Sequence, residues 1–521
     1  MHSNSINDII DLTVVFPFYI PVYVPRAFWN FLWDALSALR VISPRGSRPR
    51  HSSVKSKNGR VSSFLRLRFP MNRLTGPLIT VLFLLATLAI GREEVRGGTI
   101  GTNYIFPIDI MLFFGSLTYL AISIDASGLF RYVIFMILQR GGLVGHKLFF
   151  YLYIFFFGLA TFVGSNPVIL SSTLSLIYMT RISSNIVHPR AWIFTQFAIS
   201  NIASAILVPS NPANLVLAGA FNIKFFHYTA NTIVPVIFTA ILLFPFLLYV
   251  IFADQALIPF SITLHELPDE VRDRIPVNPN IPHARGEVEE GEEGDTRVMM
   301  RSMEEIMNPF LDKGSALVGT IILVVALVVL IALDTTMSNR QHLAVWVTVP
   351  AAFAMLFWDI TLGWLNRHET RELARRAREE IQAIRTEREM KEKAEQVALE
   401  QEGNAIPIGD SYSAHILDDV THHPPSNRRP TLASFLRDKL HWCEETFPVA
   451  TAVLSRLPIS FVPFTLSMFV LIHALATKGW ILVFAHGWDN WVTKTGPMGA
   501  IGGMSFLSVI LSNVSLFYFL N

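Results

Sequence analysis

Val163-Gly164-Ser165-Asn166-Pro167 and Val208-Pro209-Ser210-Asn211-Pro212-Ala213-Asn214 interrupt two long uncharged stretches, and their reading decides the fold. Between Lys147 and Arg181 lie 33 residues without a charge, and between Arg190 and Lys224 another 33. A membrane helix needs about 20 apolar residues to cross roughly 30 Å of hydrocarbon, so an unbroken 33-mer overshoots. Proline removes a backbone N–H and disfavours helix in the residue before it. Each Ser-Asn-Pro is therefore expected to end one helix and start another. The pieces 148–164 and 167–180 are short for a full crossing, which predicts a re-entrant hairpin with its tip inside the membrane. In the second stretch, 191–209 is nearly long enough to cross, and 215–222 is a short continuation after an unwound loop.

Non-helical backbone at membrane depth is tolerated only where protein buries it or where it lines a watery cavity, because lipid offers no hydrogen bonds. Two such breaks point to a site. Secondary transporters build substrate sites from broken helices, with positive helix N-termini facing an anion and freed carbonyls holding a cation. The plainer alternative is a pair of helix-ending turns in ordinary loops, where Ser, Asn and Pro are common.

The chain is 51% hydrophobic and only 16% charged, with mean hydropathy +0.43, which marks a multi-pass integral membrane protein. Its composition does not distinguish the plasma membrane from an intracellular one. The single cysteine, Cys443, excludes an intrachain disulfide and a multi-cysteine metal site. Met1 to Asp11 is polar and lacks the basic and apolar regions of a cleavable secretory signal.

Outward from the two breaks, residues 12–33 carry Pro17, Pro21 and Pro25 and read as an interfacial or partly inserted segment. From Arg40 to Arg73 there are ten Lys or Arg and no acid. Such a block beside a span marks the cytoplasmic side more simply than it marks a nucleic-acid site. Spans are expected at 76–91, 105–124, 231–253, 314–333, 342–358 and 458–477, with an amphipathic cytoplasmic helix over 126–146. The loop 254–313 carries 14 acids against 6 bases and is expected to be largely disordered. Residues 366–402 alternate opposite charges at helical spacing and predict a solvated helix of roughly ten turns; a Pro-rich linker, 422–430, follows.

The divisions are thus 1–75, an N-terminal interfacial and basic region; 76–253, a first transporter repeat; 254–313, an acidic loop; 314–365, membrane helices; 366–445, a charged helix and linker; and 446–521, the start of a second repeat. Counting crossings from a cytoplasmic Arg40–Arg73 block puts every large charged loop on that side. The last apolar stretch then enters from the opposite face, as in an inverted repeat.

Residues 76–250 resemble the ion transporter superfamily, in particular its arsenite-pump and citrate-transporter-like branches. The likeness rests on Asp125-Ala126-Ser127-Gly128-Leu129-Phe130, on Ser165-Asn166-Pro167, and on Asn201-Ile202-Ala203-Ser204-Ala205 leading into Ser210-Asn211-Pro212-Ala213-Asn214-Leu215. Residues from about Leu457 to Ser512 resemble the opening of the family's second half. The resemblance implies an all-α polytopic membrane protein, an inverted-repeat transporter with re-entrant hairpins and broken helices whose tips enclose substrate and coupling ion. Carried over, Ser165 and Asn166 are first-tip residues, Ser210, Asn211 and Asn214 line the unwound loop, and Ser512 and Asn513 form the second tip.

Two departures stand out. The first tip has no acid beside its asparagine, and the family would continue past Asn521, so the second repeat is expected to be incomplete. The expected function is ion-coupled secondary transport of a small anion or metalloid, either arsenite and antimonite or a di- or tricarboxylate such as citrate. A truncated, non-transporting relative acting as an assembly or regulatory partner is the alternative. A membrane-embedded enzyme ranks below both, since no H-E-x-x-H, G-x-S-x-G or Walker motif is present.

Asp125 and His473 are the candidates for ion coupling. A solvated boundary charge competes for Asp109, Asp125 and Asp334, and a neutral histidine bonding a neighbouring helix competes for His473. Neither cofactor nor metal is expected, and Na⁺ and H⁺ both stay open as coupling ion. Expected partners are a small solute or ion and the lipid bilayer, with a second copy of the chain left open and nucleic acid excluded.

Overall fold

A computed structural model describes residues 18–41, 64–72, 74–102, 105–141, 144–182, 186, 188–262, 276–282, 284, 308–336, 340–403 and 431–516. Most of the acidic loop, the Pro-rich linker and the centre of the basic block lie outside these residues.

The described chain is mostly helical. It opens with strand β1 (Phe18–Pro25), helix α1 (Arg26–Ala38) and strand β2 (Phe64–Met71), the strands pairing antiparallel from Phe18↔Met71 to Pro25↔Phe64. The membrane part follows: α2 (Thr75–Ala86), α3 (Arg92–Thr99), α4 (Pro107–Ala126), α5 (Leu129–Gly141), α6 (Gly145–Val163), α7 (Ser165–Ile182), α8 (Arg190–Ala203), α9 (Pro212–Ala220) and α10 (Phe225–Phe246). Then come α11 (Lys313–Thr336), α12 (Arg340–Leu365), α13 (Arg367–Gly403), α14 (Leu432–Thr446), α15 (Pro448–Arg456), α16 (Phe461–Thr477) and α17 (Trp480–Leu516).

Among the described residues six stretches are long and apolar enough to cross a membrane: 107–126, 145–163, 225–251, 313–333, 344–365 and 448–477. This is a helical membrane protein. Within it α4 is central, 72% buried against 17 to 39% for the other five. The faces those five leave open carry Val234, Phe238, Ile241, Val328, Phe353 and Phe357, the residues a lipid-facing surface requires.

Three packed clusters build the interior. One joins α5, α6, α7, α8 and the end of α10 around Phe149, Phe156, Trp192 and Ile199. A second wraps α4 with α9, α11, α12 and α15 around Leu120, Ile124, Leu215 and Met355. A small third holds α2, α3 and α16 together through Val81, Ile90, Val470 and Ala474.

The sequence expectations need four corrections. Helix α2 has 12 residues, too short for the crossing expected over 76–91, because Leu88 takes a left-handed φ of 56° and turns the chain. Helix α8 ends at Ala203 rather than near 209, the backbone already unwinding at Ser204. The proline-rich 18–25 segment is a strand, paired on one edge only. A two-stranded sheet leaves alternate backbone positions facing outward, where a missing N–H costs no ladder bond. Finally, the C-terminal helix breaks at Gly496 and not at Ser512-Asn513, both of which lie on helical backbone near the end of α17.

Candidate functional site

The two sequence breaks touch each other. Helix α6 ends at Gly164, whose φ of 97° and ψ of 157° are open to glycine and essentially closed to other residues. A Cβ at Gly164 would sit 2.6 Å from the Ser210 carbonyl oxygen, so the first break packs backbone to backbone on the second. The Ser210 hydroxyl donates to the Thr161 carbonyl in the last turn of α6 and ties the two together.

The unwound stretch is held by polar side chains. Between α8 and α9 the chain passes through Ser204–Leu207 and a 3₁₀ turn, Val208–Ser210. The buried Asn214 amide donates to the carbonyls of Ser204 at 2.8 Å and Leu207 at 3.0 Å, and so satisfies acceptors the broken helix left orphaned. The Thr232 hydroxyl reaches the Ile206 carbonyl at 3.3 Å. Asn211 is extended and caps α9, its Oδ1 accepting the Ala213 N–H at 3.0 Å. Its amide NH₂ has no partner among the described residues.

Helices α7 and α9 therefore both begin at this contact and present their positive ends to it. Leu159 and Val163 pack against both large clusters here, which places the junction on the seam between them. Ser165 is buried at the start of α7, whereas Asn166 is exposed. Of the five residues expected in this region, Ser210 and Asn214 bind backbone, Asn211 caps a helix with half of its amide, and Ser165 and Asn166 flank the contact. Ser512 and Asn513 are not joined to it by any described contact, and their side chains lie outside the described set.

Asp125 lies elsewhere. It is 4% exposed, so the solvated boundary charge expected there is corrected to a buried one, with Arg456 Nη1 3.6 Å from its Oδ2. Around it, Asn280 donates to the Ala126 carbonyl at 2.9 Å, and the Asp312 N–H donates to the Ser127 carbonyl at 2.9 Å. Gly128, at φ 87°, lets Phe310 pass against the backbone. His473 lies on α16, its imidazole against Gly97 of α3. Among the described residues no three His, Cys, Asp or Glu gather as a metal ion would require.

Sequence reasoning missed one residue of consequence. Asp359 is 3% exposed within α12 and accepts hydrogen bonds at Oδ2 from Tyr119 and Ser123 of α4, both 2.8 Å. The expected span 342–358 stops one residue short of it, although the apolar run continues to Leu365 and encloses this single acid. No protein-family model and no curated protein matches the chain.

Proposed function

We propose that this protein is an ion-coupled secondary transporter of a small anion or metalloid hydroxide, with the junction of the two helix breaks as its solute site. One observation carries the reading: Gly164 and Ser210, far apart in sequence, bring two interrupted helices into backbone contact inside a bundle of spanning length. Irregular backbone survives at that depth where it lines a cavity or is buried by protein. The junction offers what a small oxyanion or hydroxide needs, namely two helix N-termini, the free Asn211 amide and the Ser165 hydroxyl, on two stretches, 148–180 and 191–223, that carry no charged residue. The resemblance to the ion transporter superfamily, through the same Ser-Asn-Pro residues, points the same way.

The test is flux through the purified chain in proteoliposomes, with arsenite and citrate run in parallel under imposed pH and Na⁺ gradients. Gradient-dependent movement of one solute is expected. Asn211→Ser keeps an oxygen to cap α9 but deletes the amide donors, so it should cut flux by about tenfold, the worth of one good hydrogen bond to the solute. Failure of the wild-type chain to move either solute overturns the proposal, and full flux through Asn211→Ser overturns the site.

A further inference from the structure

Asp359 is a buried acid of the membrane core with no cation beside it among the described residues. Asp125, on the opposite side of α4, faces Arg456. Asp312 is used at the start of α11, where its carboxylate accepts from the Gly314 and Ser315 N–H groups at 3.0 and 3.2 Å and from the Ser315 hydroxyl at 2.8 Å. Asp359 receives two hydroxyl donors on Oδ2, and its other oxygen, Oδ1, is buried without a partner. An unpaired carboxylate out of water is costly, and two neutral hydroxyls do not offset its charge.

The surroundings were built to hold this group in place. Tyr119 and Ser123 are one turn apart on α4 and so share the face turned to α12. Gly319 of α11 leaves room for α4 and α12 to close, since a Cβ there would meet Ile124 at 2.8 Å and Met355 at 3.2 Å. Met355 lies one turn before Asp359. The titratable and charged groups on the elements packed against α12 are Asp109, Tyr119 and Asp125 on α4, Asp312 and Lys313 at the start of α11 with Asp334 near its end, and Arg456 on α15. Helix α9 contributes none, and the charges of α13 begin beyond Leu365.

We propose that Asp359 is the proton-binding group of the membrane core. A proton arriving from water forms an O–H bond at Oδ1, leaving a neutral carboxyl still held by Tyr119 and Ser123, and its departure regenerates the anion. A hard metal ion wants a cage of about six oxygens. Asp359 offers one free oxygen, and among the described residues no three His, Cys, Asp or Glu gather to complete such a cage. The consequence for coupling rests on the transport reading above, with Asp359 in place of Asp125 or His473 as the group that couples solute movement to a pH gradient.

Two measurements separate the proposals. Infrared difference spectra of the purified protein across pH should show a protonated-carboxyl carbonyl band that Asp359→Asn removes and that Ser123→Ala, which keeps the carboxyl but deletes a donor, displaces. This readout needs no transport. Superimposable spectra for wild type and Asp359→Asn, or a band that Ser123→Ala leaves in place, overturn the assignment. In proteoliposomes, Asp359→Asn should lower accumulation driven by a pH gradient by about tenfold or more, the range of a typical coupling energy, with partial recovery in Asp359→Glu. Wild-type accumulation in Asp359→Asn overturns the coupling role. If the wild-type chain moves no solute, the transport reading fails while the infrared band still decides whether Asp359 binds a proton.

Discussion

Gly164 and Gly496 are the same backbone device in two settings. Both interrupt a helix with positive φ, 97° and 67°, in a region that glycine alone occupies freely, and both are followed closely by a proline, Pro167 and Pro497. Around Gly164 the second break supplies a carbonyl 2.6 Å from where a Cβ would stand, and Ser165 beside it is 3% exposed. Around Gly496 nothing described lies within 4 Å, and neighbouring Met498 is 82% exposed. Among the described residues the two arms of α17 meet at Trp491, whose indole donates to the Gly499 carbonyl at 3.0 Å, and at Gly503 against Trp488 and Trp491. A glycine break thus stays open on its own, and around Gly164 it is a second break that closes over it.

The largest effect expected from this contrast is in the two alanine variants. Gly164→Ala meets backbone strain of about 1–3 kcal/mol and a clash with the Ser210 carbonyl worth about as much again. Gly496→Ala meets the strain alone. Thermal unfolding of both in detergent should place Gly164→Ala about 2 kcal/mol below Gly496→Ala; equal losses would break the comparison.

A smaller effect sharpens it. Asn214→Ala strips the donors from two carbonyls in the buried unwound stretch and should cost about 2–3 kcal/mol, at about 1–3 for each buried group left unsatisfied and with some recovered by local relaxation. Across the second break Trp491→Phe removes a hydrogen bond that is half exposed to its surroundings, and the loss should stay below about 1 kcal/mol. If the two variants unfold alike, the polar stitching of the first break is not what distinguishes it.

How much of this was legible depended on whether the cause was local. Proline, glycine and charge spacing act within a few residues, so both breaks, the amphipathic α5, the span around 225–251 and the long charged α13 could be read directly. Helix α5 also buries Phe130, Ile134 and Leu138, in keeping with its 3.6-residue period. The pairing of β1 with β2 was hidden because β2 lies inside the basic block, far along the chain from β1, and periodicity does not report partners. The stitching by Ser210 and Asn214 was hidden for the same reason: their expected role was to face a solute, but the carbonyls of Thr161, Ser204 and Leu207 claim them. Asp125 looked solvated because it ends an apolar run, and only the approach of α15 reveals Arg456 beside it.

The smallest expected effect lies at the foot of the second region, where it is tied to α3. Lys478, at the root of α17, sits 3.2 Å from Glu94 of α3, and the Gly91 N–H donates to the same carboxylate at 2.8 Å. Backbone N–H groups at the start of α3, with Lys478 behind them, hold the Glu94 carboxyl below the ordinary carboxylate range. A group whose folded value is depressed adds stability above its unfolded value and loses it as pH falls through the folded one. Glu94→Gln should therefore melt slightly below wild type at neutral pH, and the gap should close as the pH falls below the usual range for glutamate. A gap that persists unchanged in acid would mean that shape, not charge, joins α3 to the foot of α17. The close seating of Gly97 and Gly98 against His473 and Val470 would then account for the tether.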